Sequence, residues 1–233
     1  VAGRIEGLVT FGSNTIGSSG TGADIFMIKL GPGNGVLKFA GAITGASEDM
    51  ANEMVVTTSG SLNKIHLVGY HSNSTYFDLN ASTTQRTATG GVDIFIAQYQ
   101  QSGSSLPTLN WVNSLGGYQG DVAHGVDVDN GGNVYVSGHF FSTTVDMNPG
   151  TGTSNVTNYG ATTSSDLFFA SYTSTGTYNW SRHIGGNKNE RGLALAVDKT
   201  TGGTQALYLT GYYQGFYGTD LGGGNYGSYV DFD

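Results

Sequence analysis

Four short motifs return in one fixed order about every 70 residues, and this recurrence limits the chain to repeat architectures. An Asp-x-Phe opening begins DIFMIKL at Asp24, DIFIAQY at Asp93 and DLFFASY at Asp166, at spacings of 69 and 73. A strand ending in glycine keeps time with it at Gly3, Gly69, Gly138 and Gly211. An aromatic strand carries Phe39, Trp111 and Trp180 and is followed by ITG, LGG and IGG. Six residues beyond the Ile or Leu of those triplets stands an acid, Asp49, Asp121 or Glu190, which leads into MVVT, VDVD or LAVD.

Each period reads as four short strands joined by turns such as SGSLNK and DNGGN, whose Gly, Asn and Asp tolerate positive φ or bond their own backbone. No segment sustains a 3.6-residue apolar period with caps, so essentially no helix is expected. In DIFMIKL, Phe26, Ile28 and Leu30 fall on one face and Ile25 and Met27 on the other. DLFFASY repeats the arrangement. A sheet with one wet face would alternate apolar and polar residues, so these strands are expected to be covered on both sides. Four-stranded antiparallel units that stack on like units are what a β-propeller provides. The expected fold is therefore all-β, with propeller blades: a partial blade over 1–35, blades over 36–104 and 105–176, and a partial blade over 177–233. Phe39, Trp111 and Trp180 are read as blade-packing residues, each contributing on the order of 2 to 3 kcal/mol by burial.

Composition narrows the class. The chain has 233 residues, 39 of them Gly, with no Cys and 11 % charged residues, which excludes coiled coils and disulfide scaffolds. With 37 % hydrophobic residues there is material for a sizeable core. The net charge of −8 comes with nine scattered Lys and Arg, so no basic stripe exists for nucleic acid. No apolar run reaches the roughly 18 residues of a membrane helix, and no membrane span is expected. A Gly, Ser, Thr and Asn surface with so few charges points to an extracellular setting.

The succession NWVNSLGG, GNVYVSGHF, VDMNPGTGT and DLFFASY, echoed in NWSRHIGG, LYLTGYY and VDFD, resembles the SBBP-type β-propeller repeats of bacterial surface and secreted proteins. The likeness is closest between Trp111 and Val197. It implies an architecture and an exported setting, on the cell surface or outside a bacterium, and no activity. Three periods and about 23 residues are fewer than the four to eight blades of a closed ring. The chain is thus expected to belong to a larger propeller or to complete its open edges by self-association.

Candidate sites are few. Asp78 with Asn80, Asp146 with Asn148, and Asp231 with Asp233 could each turn two oxygens on one Ca²⁺. However, Ca²⁺ takes six to eight oxygens, and Asx turns that shape the loops explain the same residues. No other cofactor is expected. His66, His71, His124, His139 and His183 occupy different positions in the repeat and show no zinc spacing. GxSxG is absent, and GGGNYG at Gly222 has no helix after it to cradle a phosphate. The sequons at Asn73, Asn80, Asn155 and Asn179 are no more than composition produces. Tyr212, Tyr213, Phe216, Tyr217, Tyr226 and Tyr229 crowd the C-terminal end and form a candidate binding patch, with Tyr208 or Tyr212 expected to pack inside. Asp49, Asp121 and Glu190 recur by repeat, which suggests a structural task. The expected function is a non-enzymatic scaffold or interaction surface for protein or glycan partners. The alternatives are a polysaccharide-active propeller enzyme, which needs two carboxylates meeting at a channel mouth, and a self-associating structural subunit.

Overall fold

The structure is a computed structural model that describes residues 1–20, 22–160, 162–199 and 206–214. It is all-β and antiparallel, with no helix among the described residues. The first sheet contains β1 (Ala2–Glu6), β4 (Ala23–Leu30) and β5 (Leu37–Gly45); β2 (Val9–Phe11) and β3 (Asn14–Ile16) form a hairpin between β1 and β4. The second is a meander of β6 (Met50–Ser59), β7 (Leu62–Tyr76), β8 (Gln85–Ser102) and β9 (Thr108–Leu115). The third repeats it with β10 (Asp121–Val128), β11 (Val134–Phe140), β14 (Asp166–Tyr172) and β15 (Tyr178–Ile184); a hairpin of β12 (Thr144–Asp146) and β13 (Asn155–Thr157) lies within it. β16 (Glu190–Val197) and β17 (Leu207–Tyr213) pair in the fourth. A two-residue contact of β5 with β7, at Thr44 opposite Tyr76 and Gly45 opposite Thr75, links the first two sheets.

The hydrogen-bonded sheets are offset from the sequence period. The aromatic strand of each period, carrying Phe39, Trp111 or Trp180, pairs with the Asp-x-Phe strand before it. The acid-led strand that follows opens the next sheet.

Successive sheets stack through their apolar faces. Strand β8 shows this directly: Ile94 and Ile96 enter the core shared with Val126, Val136 and Phe168 of the third sheet, while Phe95 and Ala97 enter the core shared with Ile25 and Met27 of the first. All four are fully buried. The expectation that apolar side chains line both faces is met here because each strand serves two interfaces. Trp111 lies against Gly176 and donates its indole N–H to the Ser174 carbonyl at 3.2 Å. The extended hairpin tips fold over the cores, burying Phe77 and Leu79 in one sheet and Val145 and Met147 in the next. Tyr99 and Tyr172, at equivalent places, fasten those tips by donating to the carbonyls of Phe77 (2.7 Å) and Met147 (2.9 Å).

The repeated strand glycine has a local cause. Strands β6, β10 and β16 each bulge at the same place, at Asn52, His124 and Leu193. The bulge pushes a carbonyl (Met50, Val122 or Arg191) against Gly69, Gly138 or Gly211, where a β-carbon would collide with it.

Candidate functional site

One end of the stacked sheets collects the polar motifs: there the acid-led strands begin, the glycine-bearing strands end and the Asp-x-Phe strands begin. Three pairs of acids line it, Asp24 with Asp49, Asp93 with Asp121, and Asp166 with Glu190, all essentially buried. Each pair brackets the glycine that follows an aromatic strand. Asp24 accepts from the N–H of Ser18 at 2.6 Å and of Gly45 at 3.1 Å. Asp49 accepts from the Ser72 N–H at 2.9 Å and the Thr75 hydroxyl at 3.0 Å, and its other oxygen presses on Gly45, where a β-carbon would strike it. Asp121 accepts from the N–H groups of Gly117, Phe141 and Ser142 and from the Ser142 hydroxyl. Its partner Asp93 accepts from Thr89 and abuts Gly116. Asp166 accepts from Tyr159 and abuts Gly185, and the Gly186 N–H points to both Asp166 and Glu190. The triplets ITG, LGG and IGG are thus backbone seats between two carboxylates.

The electrostatics follow from this enclosure. Burial pushes Asp49 up to about 7, against hydrogen bonds from Ser72 and Thr75 and with some help from the charge of Asp24. Burial likewise raises Asp93 to about 7, Glu190 to about 7 and Asp166 to about 6, and moves Asp121 upward. One oxygen each of Asp49, Asp93, Asp166 and Glu190 is buried without a hydrogen-bond partner. These acids anchor loops through backbone N–H groups.

The loop pairs read as calcium candidates spend their oxygens on their own loops. Asp78 accepts from the Thr83 hydroxyl and the Thr84 N–H. Asn80, at φ 58°, accepts from the Ala42 N–H and donates to the Ala40 carbonyl, tying the tip to β5. Asp146 accepts from the N–H groups of Asn148 and Ser154, and Asn148 from that of Gly150. The Asp146–Asn148 and Asn148–Gly150 bonds are Asx turns, whereas Asp78 closes a longer loop and Asn80 reaches across to β5. No group of three or more His, Cys, Asp or Glu side chains that could hold a metal ion occurs among the described residues. Asp231, Asp233, Phe216, Tyr217, Tyr226 and Tyr229 lie outside the described residues.

Of the tyrosine patch, Tyr212 and Tyr213 are exposed at the end of β17, 41 % and 66 %. Tyr208 is exposed as well, so the expectation that Tyr208 or Tyr212 packs inside is corrected. The alternation of β17 turns Leu207 and Leu209 toward the layer that Val134 and Val136 occupy in β11, and leaves Tyr208 and Tyr212 on the opposite face. The five histidines do not converge on one point. His66 bonds Gln98 and His71 bonds Ser114, and burial lowers each to about 4.

His124 and His139 do meet, their rings stacked 5.0 Å apart with a 3.0 Å contact between Nε2 and Nδ1. Burial, then Arg191, then His124 lower His139 to about 3. Beside them the Arg191 guanidinium lies over the rings of Phe141 (5.8 Å) and Tyr212 (5.9 Å). Sequence reasoning missed this group because Arg191 neighbours the repeated acid without repeating itself. No protein-family model matches this chain, and no curated protein matches it.

Proposed function

We propose that the chain is a β-propeller repeat module of a bacterial surface or secreted protein, non-enzymatic, that serves as a scaffold and interaction surface for a protein or glycan. Support for the propeller comes from four-stranded meanders that recur with the sequence period and stack face to face. The observation that carries the non-enzymatic reading is the state of the repeated acids. They are buried, capped by loop N–H groups and wedged against glycine, an arrangement that holds loops in place. The test is a release assay for reducing sugar on a panel of polysaccharides, with wild type and Asp121→Asn compared. No release is expected from either. Release by wild type that disappears in a folded D121N protein would establish the enzyme reading instead.

A further inference from the structure

The two acids of a pair stand on opposite sides of a joint between successive sheets, and they are not equally provided with donors. Asp93 belongs to β8 of the second sheet and Asp121 to β10 of the third. The Gly116–Gly117 segment, which leads from one sheet into the other, is held between them: Gly117 donates its N–H to Asp121, and Gly116 lies against Asp93. Asp121 accepts three N–H groups and the Ser142 hydroxyl, and both of its oxygens are engaged. Donors of this kind stabilise a charged carboxylate. Asp93 accepts one N–H, from Thr89 at 3.0 Å, and its other oxygen is buried with no partner. The first joint shows the same asymmetry. Both oxygens of Asp24 on β4 accept N–H groups, whereas Asp49, at the head of β6, has the partnerless oxygen.

Two buried like charges across one joint repel each other, and no cation stands against them. Among the described residues no ion pair includes Asp93 or Asp121. The titratable and charged groups on the surrounding strands are His71 of β7, in register with Asp93, His124 of β10, His139 of β11 and Arg191 of β16. Burial lowers all three histidines, which favours their neutral forms, and the charge of Arg191 lowers His124 and His139 further. Around Asp49 stand Asp24 and Glu48, the latter paired with Arg4 and accepting from the Tyr70 hydroxyl. A proton on the oxygen that has no donor removes the second charge from either joint.

We infer that the joints at Asp49 and Asp93 are proton-held clasps: the acid with the partnerless oxygen stays protonated, its partner across the joint is capped by N–H groups, and release of the proton loosens the two sheets from each other. Burial and the charge of Asp121 support this by raising Asp93 to about 7. The closed joint binds the proton more tightly than the opened one, so closure is complete in acid, weakens as pH rises toward about 7, and stays weak above it. The clasp adds a pH response that the reading as a binding module does not require.

The test is amide hydrogen exchange followed by NMR at about pH 5 and about pH 8, each rate divided by the intrinsic rate at that pH, for the N–H groups of Thr89 and Gly117. The open fraction at the middle joint should rise about a hundredfold between the two conditions in wild type, the ratio that a group titrating at about 7 closed and at 3.8 open produces. Asp93→Asn should abolish the rise, and Asp78→Asn, in an exposed loop, should leave it intact. Carbon-13 spectra of wild type labelled at its aspartate carboxyls should show resonances that titrate near pH 7, and this measurement decides the matter even where D93N does not fold. Equal protection of Thr89 and Gly117 at both pH values, a D93N protein with the wild-type response, loss of the response in D78N, or no aspartate titrating above about pH 6 in the folded protein overturns the inference.

Discussion

Replacing Asp49 with Asn removes one buried titration and leaves the shape of the side chain almost unchanged. In the folded protein the Asp49 carboxyl titrates at about 7, against 3.8 for the unhindered group. The folded state therefore binds this proton more tightly than the unfolded chain does. Stability from that preference is complete below the unfolded value, is lost as pH rises toward about 7, and stays lost above it. Two pH units of that window lie between about pH 5 and 7, and at about 1.36 kcal/mol per unit they amount to about 3 kcal/mol. In D49N an acceptor oxygen remains for Ser72 and Thr75, and the partnerless oxygen on Gly45 becomes an NH₂ donor beside the Asp24 carboxylate. Urea unfolding of both proteins at about pH 5 and about pH 8 provides the comparison. Wild type should be less stable at the higher pH, and the drop should shrink by about 3 kcal/mol in D49N. Parallel pH profiles for the two proteins, or a D49N protein less stable than wild type at pH 8, refute the reasoning.

Gly116→Ala puts a methyl group into the Asp93 carboxylate and should cost about 3 kcal/mol. Gly60→Ala, at φ 61° with open space around it, should cost about 1 kcal/mol; equal losses in denaturant melts would contradict the seat between carboxylates. Tyr99→Phe and Tyr172→Phe each leave a carbonyl at a hairpin tip without its donor, and about 1 to 3 kcal/mol should be lost from either. Thermal melts should show the two losses alike, as befits equivalent positions. Chelation by EDTA should leave the melting temperature unchanged, because Asp78 and Asp146 already accept backbone N–H groups. A fall reversed by calcium would give those loops a metal after all.

The sequence made the strands legible because their residues repeat. The two apolar faces of DIFMIKL and DLFFASY anticipated strands between two cores, and the segment led by Glu190 is a strand as in the other repeats. Strand pairing was less legible, since periodicity is silent on where one sheet stops and the next starts. Hydrogen bonding of Trp111 to Gln98 across β8 and β9 settles that point. The acids of the Asp-x-Phe motif stood in plain view, yet their partners lie 24 to 28 residues away and only the glycine seats bring them together. Arg191 and Phe141 carried no periodic signal at all, so only packing could bring them together.

The offset between sheet and sequence period bears on how such a chain can be shortened or extended. A segment cut at residues 105–176 would carry β9 without the strand it pairs with and would lose β15 from its own sheet. A segment over 121–184 keeps one meander whole. Duplication of a period within the gene hands its first strand to the sheet already present, so each newcomer is zipped to its predecessor by main-chain bonds as well as by packing. Neighbouring units linked in this way should melt together, and lengthening the array should sharpen the transition.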